Sequence, residues 1–216
     1  MFINFLSERG EQIFHLLLQH IWLTVMSVCV AALIGIPVGI LLSENKKIRR
    51  PVLAVVNACQ AVPSLAFLGL LIPIAGIGTE TAVILVVIYA LFPIIKNTCT
   101  GLMNLDEEIM LTARGIGLTE FQVLTKVQFP LALPVIMAGV RIAAVSSVGL
   151  VTIAAYVGGR GLGFLVYSGI NMVDSYMIWG GAVPAAVFAL LLDFILARME
   201  KRVIPQAIQA DGRQQQ

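Results

Sequence analysis

Glu108 to Pro134 reads EIMLTARGIGLTEFQVLTKVQFPLALP, a polar, helix-patterned stretch lying between two segments apolar enough to cross a bilayer. Hydrophobic spans by themselves report only residence in lipid. A long loop with helical periodicity, broken by a Gly-x-Gly at Gly115 and Gly117, reads as two short helices and as a surface built to seat against another protein.

Composition sets the class on either side of that loop. Apolar residues make up 59% of the 216-residue chain and charged residues 12%, with a mean hydropathy of +0.95. Soluble domains run at about 45–50% apolar and about 25% charged, so this is a membrane protein. Counting the spans leaves no room for a sizeable soluble domain, and any catalytic or ligand-capturing module is expected on another chain. A net charge of +2 is too small to point to nucleic acid, and Lys and Arg fall at the ends of apolar runs. Cys29, Cys59 and Cys99 are far apart, lack CxxC spacing and lie within or beside apolar segments, so no redox or metal role is assigned.

A hydrocarbon core about 30 Å thick takes about 20 helical residues. Five windows qualify, giving an all-α fold of five transmembrane helices: Ile21 to Ser43, Val52 to Ala75, Thr81 to Ile95, Val135 to Val157 and Tyr176 to Leu196. The third is the shortest, and its start falls at Thr81 or nearer Gly78. Five crossings put the termini on opposite sides. Lys46, Lys47, Arg49 and Arg50, then Lys96, Arg114 and Lys126, then Arg198, Lys201, Arg202 and Arg213 all fall on one face. Arg9 and Arg160 fall on the other, and Arg141 stands near the start of span four. The positive-inside bias therefore predicts an outer N-terminus, a cytoplasmic C-terminus and a cytoplasmic loop between spans three and four.

Residues 1–20 lack a signal-peptide pattern and are expected to be retained. Two readings stand for them: a helix along the outer interface, from the mixed apolar and charged spacing of Phe5, Leu6, Glu8, Arg9, Glu11, Ile13 and Phe14, or an extension of span one. Span residues 21–204 form the membrane domain, and the polar, Gln-rich residues 205–216 read as a disordered cytoplasmic tail.

Polar groups inside the spans need partners or water. Asn57, Gln60 and Ser64 step by three and four, within roughly 60° of one another on a helix. Ser146, Gly149, Thr152 and Tyr156 make a comparable face on span four. Each face reads either as a helix–helix contact, the commoner role of small and polar residues in membranes, or as lining of an aqueous path. Pro37, Pro63, Pro73, Pro93 and Pro184 are expected to kink spans, a feature of moving transporters and of membrane helices generally. Asp193 either reaches the interface or pairs with Arg198 or Arg141. GGRGLG at Gly158 to Gly163 does not fit GxGxxG and follows no strand, so it reads as a turn opening a short outer helix. Phe164 to Asp174 is too short to span and either dips back or lies along the outer surface.

With these residues in hand, the chain resembles the membrane subunits of binding-protein-dependent ABC importers. Its loop is similar to that family's EAA loop: Glu-Ala-Ala, a glycine beyond three further residues, and a Leu-Pro near the end. Leu111, Thr112 and Ala113 fill the first three positions, Gly117 matches the glycine, and Phe129-Pro130 stands at the Leu-Pro. The leading glutamate is missing here, while Glu107, Glu108 and Glu120 supply acidity nearby. Closer similarity goes to the osmoprotectant branch that moves glycine betaine, carnitine and choline, through QAVPSLAFLGLLIPIAGIG from Gln60, YALFPIIKNTCTG from Tyr89, PLALPVIMAGVRIA from Pro130, GGRGLG from Gly158 and GGAVPAAVFALLLD from Gly180.

The resemblance implies a multi-pass subunit of the bacterial inner membrane, without cofactor, working beside a second permease subunit, cytoplasmic ABC ATPase subunits and an external solute-binding protein. No Gly-Lys dipeptide occurs, hence no GxxxxGK[ST] loop, so ATP hydrolysis is expected on a separate polypeptide. The resemblance also assigns coupling to Ala113, Gly115, Gly117, Phe121 and Pro130, with a short helix around Gly115 to Gln122 inserting in a groove of the ATPase. Asn57, Gln60, Ser64, Ser146, Thr152 and Tyr156 are the expected path residues, with Tyr156 the candidate for cation contact. An amino acid or related betaine is the alternative cargo. An intramembrane enzyme lacks support: the histidines, His15 and His20, precede span one, and no HExxH or GxSxG occurs. A stand-alone channel or carrier leaves the loop without a purpose and shows no TVGYG filter or repeated half.

Overall fold

The computed structural model describes residues 2–203, and all of its regular elements there are helical. In lipid only internally bonded backbone is tolerated, so apolar runs of this length become helices. In order they are α1 (Phe2–Glu44), α2 (Lys46–Ala61), α3 (Ser64–Ala75), α4 (Thr79–Met103), α5 (Glu107–Gly115), α6 (Glu120–Val123), α7 (Phe129–Ile153), α8 (Gly163–Met172) and α9 (Ser175–Val203).

Helices α1, α4 and α7 form the core, and α4 is the most enclosed of the long helices. Small residues let these backbones approach, as expected where lipid offers no hydrophobic drive between helices. A methyl group at Gly35 would fall 2.9 Å from Ile94 Cγ2, one at Gly39 2.5 Å from Thr98 Cβ, and one at Gly139 2.6 Å from Asn97 Cβ. Ala31, Ala90, Ile94 and Ala143 close the centre of this trio. α9 is the least enclosed long helix and lies against α7 and α8.

Among the described residues, four helical stretches are long and apolar enough to span, and α2 with α3 makes a fifth if that bent pair is one crossing. The pair corrects the expectation of a continuous span from Val52 to Ala75, because its halves meet at 101°. Pro63 supplies no N–H and disfavours helix at Val62, so the ladder stops there. The Tyr89 hydroxyl donates to the freed Val62 carbonyl at 2.6 Å. Asn57 and Gln60 therefore sit on α2 while Ser64 begins α3, and the three do not share one helical face.

Three boundaries also move. α4 begins at Thr79, beside Gly78, and runs on to Met103 instead of ending at Ile95. Lys96 then lies about 26 Å from the start of α4, near the end of a bilayer-sized crossing. α7 is continuous with α6 through a π-helical turn, Leu124–Gln128, where the Phe129 N–H reaches back to the Leu124 carbonyl. The wider turn precedes Pro130, which has no N–H to offer. α1 crosses residue 20 without a turn, joining residues 2–20 to span one as in the second reading. Ile13 packs with Leu162, Leu165, Met177 and Ala185, and Phe5 stacks on Tyr176, so this part of α1 lies on α8 and α9. The stretch after GGRGLG forms α8, packed chiefly on α9. The tail at 205–216 lies outside the described residues.

Candidate functional site

The loop at 104–128 is specified by local chemistry at nearly every step. Asp106 caps α5, its carboxylate accepting from the Glu108 N–H at 2.8 Å. Glu107 and Glu108 occupy the first turn and Arg114 the last, as the helix dipole favours. The helix closes in a Schellman arrangement: the Leu118 N–H bonds the Ala113 carbonyl at 3.3 Å and the Gly117 N–H bonds the Arg114 carbonyl at 3.0 Å. Gly117 takes the left-handed position this requires, with φ of 89°. Thr119 then opens α6 with a capping box: its N–H donates to Gln122 Oε1 at 2.9 Å while its hydroxyl accepts from the Gln122 N–H. Arg114 closes the turn on Glu120 with two bonds of 2.9 and 3.1 Å. That hydrogen bond, and then the charge of Glu120, raise the Arg114 pKa above its ordinary value.

Two sets of apolar side chains result. Met110, Ala113 and Val123 are buried with Leu105, Leu118, Val127 and Leu131, fixing the two helices to the start of α7. Leu111, Ile116 and Phe121 are left outside, with Phe121 73% exposed. The two-helix reading of the loop matches α5 and α6. A single short helix from Gly115 to Gln122 does not: α5 ends at Gly115, α6 begins at Glu120, and the tip between them is a turn. Of the expected coupling residues, Gly115, Gly117 and Phe121 are exposed at this tip, Ala113 is buried beneath it, and Pro130 lies half-buried at the base of α7.

The expected path residues divide. Gln60, Ser64 and Ser146 meet in a cavity of about 330 Å³ between α2, α3, α4 and α7, together with Tyr89, Pro93 and Gly149. The break at Pro63 brings Gln60 and Ser64 to one space from different helices. A second cavity of about 410 Å³ shares Ile142 and Ser146 with the first. It is edged by Arg141, whose guanidinium holds Asp193 at 2.6 and 2.9 Å and reaches Glu200 at 3.3 Å, tying α7 to α9. Asp193 thus takes Arg141 rather than Arg198, which stacks on Phe194. The Thr152 hydroxyl donates to the Val148 carbonyl of its own helix. Asn57 is exposed on α2 and is not among the residues lining these cavities. Tyr156 stands apart, against Tyr167 of α8.

Sequence reasoning missed Tyr89, Glu200 and His20. Tyr89 is a lone hydroxyl in an apolar run, a signal present but not used. His20 is fully buried, its Nε2 3.1 Å from the Val148 carbonyl. Its partner across 128 residues has no local signature.

A bundle of membrane-length helices with a capped two-helix loop at one end and polar cavities between its spans has the build of a membrane-embedded permease. The chain belongs to the family of binding-protein-dependent transport system inner membrane components, whose model matches residues 12–207. It is a permease subunit of an ABC importer, a multi-pass protein of the inner membrane. It is 37% identical over 206 residues to the carnitine transport permease protein OpuCB of Listeria monocytogenes, covering 95% of this chain and 94% of that one. It is 33% identical to the glycine betaine/carnitine/choline transport system permease protein OpuCB of Bacillus subtilis, covering 96% and 95%. Among solved structures, inward-facing MetNI methionine ABC transporter superposes with a TM-score of 0.78 at 25% identity, covering 86% of this chain and 93% of that one.

Proposed function

We infer that this permease imports quaternary ammonium osmoprotectants such as glycine betaine, carnitine or choline, by alternating access driven from outside the chain. The observation that carries the coupling half is the loop tip. Leu111, Ile116 and Phe121 stand exposed around a turn fixed by a Schellman glycine, a capping box and an ion pair. Rigid apolar groups held out from a pinned backbone are what a docking surface needs, because little ordering entropy remains to be lost on binding. The partner is a cytoplasmic ABC ATPase, which alone binds and hydrolyses ATP. The loop faces the cytoplasm, with the N-terminus outside, in keeping with the distribution of Lys and Arg.

A second permease subunit completes the path, and an external solute-binding protein delivers the cargo and supplies high-affinity selection. Residues 21–204 are the transport domain. Gln60, Ser64 and Ser146 with Tyr89 border the solute's route, and the linked cavity at Arg141 continues it along α7. The cargo assignment is supported by the named substrates of the curated relatives. The test is uptake in a strain lacking its own osmoprotectant importers, expressing the full set of subunits. Uptake of labelled glycine betaine or choline at high salt is the expected result. Uptake of an amino acid such as methionine and of no quaternary amine would replace this cargo, and uptake by this chain alone would remove the ATPase.

A further inference from the structure

At the end of the bundle opposite the α5–α6 loop lies a third cavity, of about 600 Å³, between α1, the turn after α7, and α8. Its lining joins aromatic walls to one cation: Tyr156, Phe164 and Tyr167 with Arg160, flanked by the polar groups of Gln19 and Ser168. The two tyrosine rings stand 4.9 Å apart at 64°, making adjacent walls of a corner. Arg160 is exposed and forms no ion pair with any described residue.

The turn that carries Arg160 is held on both sides. A methyl group at Gly159 would lie 2.6 Å from the Ala154 carbonyl oxygen, and one at Gly161 would lie 3.1 Å from Nδ1 of the buried His20. Gly161 also has φ of 109°, so its backbone is closed to other residues twice over. His20 is itself fixed, on the Val148 carbonyl and edge-on to Phe188. The cation therefore projects from a backbone pinned by α1 and α7 and needs little ordering to meet a ligand.

Aromatic walls attract a methylated ammonium through their ring quadrupoles, which needs no hydrogen bond from the cation. The guanidinium attracts a carboxylate and repels a bare cation. A solute carrying both groups gains at both ends, whereas one carrying only the ammonium gains at the rings and loses at Arg160. We propose that this cup is a receiving site for zwitterionic quaternary ammonium carboxylates, and that Arg160 makes the permease favour them over carboxylate-free choline. The assignment rests on the cargo reading above and gives Tyr156 its role there.

The test uses the full chain in lipid nanodiscs, with saturation-transfer NMR on the N-methyl protons of glycine betaine and of choline. Wild-type protein should give a response roughly tenfold or more stronger for glycine betaine, in the range of a charge-assisted hydrogen bond. Arg160→Gln should remove that preference while keeping a response to both. Tyr156→Leu with Tyr167→Leu should lose both responses, with circular dichroism confirming the helical fold. Equal wild-type responses, an unchanged preference in Arg160→Gln, or full responses without the tyrosines would each overturn the site. Uptake by the complete transporter separates this from the cargo reading. Transported glycine betaine with no NMR response removes the cup alone, and no uptake of any quaternary amine removes the cargo reading.

Discussion

The loop at 104–128 and the seam between α7 and α9 carry the same chemical bond in different settings. Arg114 grips Glu120 with contacts of 2.9 and 3.1 Å, and Arg141 grips Asp193 with contacts of 2.6 and 2.9 Å. The first pair stands in water, its side chains 48% and 76% exposed, where solvent screening leaves an ion pair little net stabilising effect. The second stands on membrane-spanning helices at the edge of a cavity, its side chains 34% and 41% exposed, and a charge stripped of its partner there is costlier than one in open water. Geometry alone does not rank them. The medium does, so the seam holds the bundle together and the loop is shaped for a partner.

The strongest way to break this contrast is Arg141→Leu, which strands Asp193 and Glu200 in the seam. Membrane abundance by quantitative immunoblot should fall more than about tenfold. Arg141→Asp combined with Asp193→Arg should recover a large part of it, and unchanged abundance in the single variant would deny the seam its structural role.

Gly117→Val should have the opposite profile. A β-branched residue is strained at its φ of 89°, yet the surrounding space is open, so the chain inserts at near wild-type level. Uptake should drop roughly tenfold, the equivalent of one lost contact of about 1.4 kcal/mol, while ATP hydrolysis by the complex persists. Normal uptake would remove the loop from coupling.

Gln60→Leu separates the two uses of a polar face. If Gln60 borders the path, the KM or the rate of uptake shifts several-fold at constant abundance. If it serves packing alone, abundance changes and the transport parameters of the remaining protein do not. Arg114→Gln should do least: abundance and helical content stay unchanged within error, because an exposed pair is replaced by solvated groups. A marked loss of membrane protein there would erase the contrast between the two settings.

Class, helical content and the loop's two helices were legible because each rests on local signals. Composition declares the membrane and the Gly-x-Gly at Gly115 and Gly117 marks the break between the helices, while the caps Asp106 and Thr119 are signals present but not used. The tip reads as helix from Gly115 to Gln122 in sequence, whereas residues 116–119 form a turn set by Gly117 and Thr119 together. Hydropathy averages across Pro63, so α2 and α3 read as one span, and the group that takes up the Val62 carbonyl left at the break has no local signature. Here that is Tyr89, 27 residues away. Long-range partners stay hidden for the same reason: Arg141 with Asp193 was one of several options, while His20 with Val148 had no trace in spacing.

The most direct measurement places a photoactivatable amino acid at position 121 in the assembled transporter and irradiates intact cells. A cross-linked product containing the cytoplasmic ATPase is the expected result. A product with the external solute-binding protein, or labelling of position 121 by a membrane-impermeant reagent from outside, would contradict it.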